Sequence, residues 1–107
     1  MELLDFFENE NIEPIVLDAT IFLKNPERIL KKLCSEISIP FEKNMLRWEK
    51  GARAEDGVWA PYWYGNIHNS TGFKKYQPKT DPFPENLTSL LKQNKTIYQN
   101  LRDKALQ

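Results

Sequence analysis

The residues with the most chemistry to offer lie between positions 49 and 73. Glu49-Lys50-Gly51-Ala52-Arg53-Ala54-Glu55-Asp56-Gly57-Val58-Trp59 sets two cations, Lys50 and Arg53, beside two glycines, Gly51 and Gly57. Glycine lets backbone amides approach an anion, and Lys or Arg adds charge and fork-shaped donors. That combination is phosphate-binding chemistry. Glu49, Glu55 and Asp56 cancel the positive charge, so a solvated turn is the competing reading. The cluster Trp59-Ala60-Pro61-Tyr62-Trp63-Tyr64 can stack a sugar, a base or a peptide, and it can equally be the apolar anchor of a loop.

His68 is the sole side chain of the usual general-base type, with the hydroxyls of Ser70 and Thr71 close by in sequence. Sequence proximity does not make a triad, and a loop histidine bonded to backbone fits equally. Cys34 falls on the apolar side of an expected helix and reads as a small buried hydrophobe. Asp18 follows an apolar run. It is either a ligand-facing carboxylate at a strand's carboxyl end or an Asx-type cap of the next turn.

These residues need elements to position them. Leu3, Leu4, Phe6 and Phe7 give residues 1–10 a helical apolar face, which Asn9, Asn11 and Pro14 interrupt. Ile15-Val16-Leu17 is short, apolar and partly β-branched, and it reads as a buried strand of the parallel type. A lone strand needs a partner, from a second copy or from chain outside this sequence. Asn25-Pro26-Glu27 is a helix start: a cap, a proline at the first position and an acid at the positive end of the dipole. Ile29, Leu30, Leu33, Cys34 and Ile37 follow at helical spacing, and Ile39-Pro40 ends the helix. Residues 41–47 suit one further turn.

All three tryptophans and all four glycines lie between Trp48 and Gly72. The composition predicts a long structured loop from Trp48 to Phe73, with a helical turn near Pro61 to Asn69. Pro78, Pro82 and Pro84 mark an extended connection. A last helix from about Pro84 carries the stripe Leu87, Leu90, Leu91, Ile97, Tyr98 and Leu101.

Composition bounds the rest. The 107 residues allow one domain, and 15 basic residues balance 15 acidic ones. Zero net charge argues against a nucleic-acid binder, which needs a cationic excess. One cysteine excludes an internal disulfide and a cysteine-built zinc site, and one histidine excludes a multi-histidine metal centre. The apolar runs are too short to span a membrane. The start Met1-Glu2-Leu3-Leu4-Asp5 has no signal core, so a cytoplasmic location is expected. The sequons at Asn69, Asn86 and Asn94 are read as chance.

Against these features, Pro26-Glu27…Leu33-Cys34…Ile39-Pro40-Phe41…Met45-Leu46…Trp48…Gly51…Glu55-Asp56-Gly57-Val58-Trp59-Ala60…Trp63-Tyr64…Ser70-Thr71-Gly72-Phe73 resembles the C-terminal part of P-loop sulfotransferase-like proteins. Pro14-Ile15-Val16-Leu17-Asp18-Ala19-Thr20 resembles the late strand of that family's sheet, and Phe83-Pro84-Glu85 with the following helix resembles its closing segment. The resemblance implies a parallel sheet wrapped by helices and 3′-phosphoadenosine 5′-phosphosulfate as sulfuryl donor. It also implies that a late Arg-Lys-Gly…Gly-x-Trp loop contacts the donor's 3′-phosphate. Lys50, Gly51, Gly57 and Trp59 match that loop; Glu49 stands where the arginine would be, and Arg53 is the substitute cation. Residues 1–25 contain no Gly-rich loop opening a helix, so the family's P-loop and its catalytic residues have no counterpart here.

The expectation is therefore a helix-rich α+β chain, a partial sulfotransferase-like α/β fold with one short strand, two or three helices and a long aromatic loop. Residues 1–107 form a single domain or the C-terminal half of one. Lys50, Gly51, Arg53, Gly57 and Trp59 are the cofactor-binding residues, and no catalytic residue is assigned. The isolated chain is expected to be inactive in sulfuryl transfer. The rival reading is an interaction module that dimerises or docks on a separate sulfotransferase half through its unpaired strand and helix faces, with no metal, nucleic acid or membrane partner.

Overall fold

Asn25 shows how directly local chemistry sets the elements. In a computed structural model that describes residues 2–107, its side-chain oxygen accepts the Arg28 N–H at 3.3 Å. Helix α3 (Pro26–Glu36) starts there with proline in its first turn. It stops where Ser38 takes φ 58°, just before Ile39-Pro40. Ile29 and Cys34 are its buried residues, and the Cys34 thiol lies 3.8 Å from the Met45 sulfur. That contact ties α3 to a 3-10 turn at Lys43–Leu46.

Before it lie α1 (Glu2–Asn9) and α2 (Ala19–Lys24). The long loop holds a 3-10 turn at Ala54–Asp56 and two single-turn helices, α4 (Ala60–Trp63) and α5 (Gly65–His68). A 3-10 turn at Glu85–Leu87 leads into α6 (Thr88–Asp103). Asp18 is the N-cap of α2: its carboxylate accepts the Ile21 N–H at 2.8 Å and the Tyr98 hydroxyl of α6 at 2.6 Å. The Asx-type reading of Asp18 is the one the structure adopts.

The α+β expectation is wrong. Among the described residues there is no strand and no sheet; the chain is all helix and loop. The run Ile15-Val16-Leu17 supplies one parallel bridge, Val16 to Ala105, with the Leu106 N–H donating to the Val16 carbonyl at 3.0 Å. The physical reason is length. Pro14 has no N–H to pair, and Asp18 is already committed as a helix cap. The partner is a short tail after α6, and Ile15 and Leu17 are exposed rather than buried. The run therefore has a partner in its own chain, contrary to the premise that it was orphaned.

A second isolated bridge, antiparallel between Arg47 and Gly72, pinches the long loop at its base. Gly72 suits the close approach there, since a Cβ would sit 3.1 Å from the Leu46 carbonyl oxygen and press it back by a few tenths of an ångström. Phe73 packs edge-on against both Phe22 of α2 (4.8 Å) and Trp48 (5.2 Å), so three rings fix the loop base to the helices. Among the described residues few are buried: Ile29, Cys34, Ala60, Ala105 and the carboxyl-bearing Asp18.

Candidate functional site

The pinched loop closes on itself through a small set of bonds. At its neck the Trp48 N–H donates to the Thr71 carbonyl at 3.2 Å, and the Trp48 indole N–H donates to Ser70 Oγ at 3.0 Å. Further in, the Gly51 N–H donates to the His68 carbonyl at 2.9 Å. Gly51 holds φ 128°, a conformation that suits glycine.

The 3-10 turn at Ala54–Asp56 is capped from its own end. The Asp56 carboxylate reaches back to accept the Arg53 N–H at 2.8 Å, and the same oxygen lies 2.7 Å from His68 Nε2. A carboxylate is acceptor-only, so Nε2 carries the proton. The Arg53 N–H first, and the His68 ring second, hold the Asp56 carboxyl below the usual carboxylate range. Gly57 then takes φ 75° and ψ 178°, a region open only to glycine, and turns the chain into α4.

The turn forms one wall of a groove of about 640 Å³. Trp48, Ile67 and Phe73 give it apolar surface, and Arg53, Lys74 and the His68–Asp56 pair bring its charge. Sharing Arg53, Asp56 and His68 with this groove is a hollow of about 580 Å³, lined also by Gly57, Val58 and Pro61. Such a combination can hold an anionic group beside a flat apolar one. Among the described residues neither the Lys50 ammonium nor the Arg53 guanidinium is in an ion pair, and no three His, Cys, Asp or Glu side chains gather as a metal site.

The five residues expected to bind the donor are therefore split. Gly51 and Arg53 line the groove, and Gly57 lines the adjoining hollow. Lys50 is exposed on the adjoining chain, and Trp59 points into solvent, 68% exposed, outside both linings. Asp56, Lys74, Trp48 and Phe73 were not foreseen as parts of one site. Asp56 had a signal in sequence, since an acid three residues after a turn's first residue can cap it. His68 is not free to act alone, because its ring is committed to Asp56.

No solved structure matches the chain. Two curated proteins of Arabidopsis thaliana do, branched-chain-amino-acid aminotransferase-like protein 1 (46% identical over 92 residues) and protein 2 (43% over 89 residues). Each match covers 83% of this chain and 16% of the relative, so the chain corresponds to a small part of those proteins. The model of the sulfotransferase domain matches residues 8–105, from the end of α1 to the bridge at Ala105, and the chain belongs to the sulfotransferase domain family.

Proposed function

We propose that the chain supplies the 3′-phosphate side of a site for 3′-phosphoadenosine 5′-phosphosulfate, as the C-terminal part of a sulfotransferase-like unit. The observation that carries this is the placement of Gly51 and Arg53 in one groove wall, next to Lys50, within a chain that matches the sulfotransferase domain. The donor set suits a phosphate: two unpaired cations, and glycines at φ 128° and 75° with open space where a Cβ would stand. An anion can therefore come up against backbone there. Asp56 keeps its negative charge beside that anion, and its Oδ2 is turned to His68 and the Arg53 N–H.

The donor's sulfuryl group needs aligned stabilising groups that residues 1–25 do not contribute. In this reading the chain binds one end of the donor, and the reacting end is left to protein outside residues 1–107. Calorimetry with adenosine 3′,5′-bisphosphate tests the affinity. A partial site with exposed charges is expected to bind no tighter than about 1 mM, roughly −4 kcal/mol, and to lose most of that in 0.5 M salt. The same binding after Lys50→Ala with Arg53→Ala would contradict the reading.

A second reading has its own observation. Val58, Trp59, Tyr62 and Trp63 are between 68% and 81% exposed and adjacent in the chain. Large apolar surface of this kind marks interaction sites. The chain then acts as a docking module, for a second copy or a separate sulfotransferase half. Sedimentation separates the two, since bisphosphate binding does not require association and docking does.

A further inference from the structure

We infer that His68 is the positioning residue of the donor loop: its ring and its backbone carbonyl together clasp residues 51–56 in the conformation that presents Arg53 to an anion. The ligand in this inference rests on the donor-site reading above, while the clasp stands on geometry alone.

The clasp has two jaws on one residue at the end of α5. The His68 carbonyl accepts the Gly51 N–H at 2.9 Å. The His68 ring meets Asp56 Oδ2 at 2.7 Å, and that oxygen accepts the Arg53 N–H at 2.8 Å. A continuous run of bonds thus leads from the imidazole through Asp56 to the backbone of Arg53. The two jaws grip the chain on either side of Arg53, so the guanidinium's origin is fixed from both directions.

His68 is itself held. The Tyr64 ring stands edge-on to it at 6.0 Å and 89°. Ser70, bonded to the Ile67 carbonyl at 2.7 Å and to the Trp48 indole, anchors the end of α5 to the loop neck. The side chains of His68 and Asp56 are 19% and 23% exposed, so their bond is shielded more than a surface pair. Among the described residues no other side chain bonds to residues 50–57. A loop without this grip would have to be ordered at the moment of binding, which weakens affinity without removing any contact.

The test uses the full chain with two substitutions of opposite character. His68→Phe keeps ring volume and removes the donor. His68→Gln loses the ring and keeps an amide N–H donor. Two readouts are taken: amide hydrogen exchange at Arg53, and chemical-shift titration with adenosine 3′,5′-bisphosphate. His68→Phe is expected to speed Arg53 exchange by about 2- to 10-fold, the range for losing one such bond, and to weaken bisphosphate binding by a similar factor. His68→Gln stays near the wild type in both. The reverse order, with Phe tolerated and Gln damaging, overturns the inference by making His68 a packing residue, as does unchanged exchange in both.

Asp56→Ala opens the clasp from its other end and must raise Arg53 exchange by a similar amount. Should His68→Phe fail to fold, His68→Ala takes its place with the same expected rise in Arg53 exchange, and unchanged exchange in it overturns the inference. Wild-type chain that shows the expected exchange pattern but no bisphosphate shifts removes the donor reading and leaves the clasp.

Discussion

At the scale of single residues, Gly57 is where backbone and proposed chemistry meet. Its φ of 75° and ψ of 178° lie in a region that side chains strain to reach. No atom lies within 4 Å of where a Cβ would be, so substitution costs conformation rather than a clash. Gly57→Ala is therefore expected to destabilise the chain by about 1–3 kcal/mol in thermal or urea unfolding. It should also tilt the entry to α4. A variant as stable as the wild type would mean that the turn relaxes to another geometry. That Gly51 and Arg53 share one loop was legible in the sequence, and both line the groove. The partnership of Asp56 with His68 was not, because a bond across 12 residues depends on how the loop folds back. From sequence, Asp56 counted only as a repelling charge.

At the scale of elements, the junction of α2 with α6 depends on Asp18. Burial alone would raise its carboxyl; the Tyr98 hydroxyl, the Ile21 N–H and Arg102 outweigh it, and the carboxyl sits below its ordinary value of 3.8. The sign follows. The stabilisation is fully present above that ordinary value and is lost as pH falls through the lower folded one. The Tyr98 hydroxyl is raised by the same bond to Asp18, so its share is present below the ordinary tyrosine value of 10.0 and is lost above it. Asp18→Ala removes the α2 cap and is expected to cost about 1–2 kcal/mol. Tyr98→Phe should lower the melting temperature near neutral pH, by less as acid protonates Asp18 and removes the charge from the bond. An equal loss at pH 7 and pH 2 would contradict the Asp18 account.

Helices α3 and α6 were legible, since Asn25-Pro26-Glu27 and a leucine stripe are local signals. The six residues of α2 and the single bridge at Val16 were not. A three-residue apolar run looks the same whether it enters a sheet or makes one bridge, and only the position of the α6 tail decides.

At the scale of the whole molecule, the chain is open. Its radius of gyration is 17.3 Å, against about 13 Å for a compact domain of this length. The apolar side chains at Val58, Trp59, Tyr62 and Trp63 are exposed. Self-association is expected at micromolar concentration, with Trp63→Glu shifting sedimentation toward the monomer; a clean monomer throughout would count against the docking reading. The donor-loop claim is tested most directly by mapping amide shifts while adenosine 3′,5′-bisphosphate is added. The account predicts saturable shifts concentrated in residues 49–59 and His68, lost in the Lys50→Ala, Arg53→Ala double variant. Shifts confined to residues elsewhere, or an unchanged response in the double variant, would contradict it.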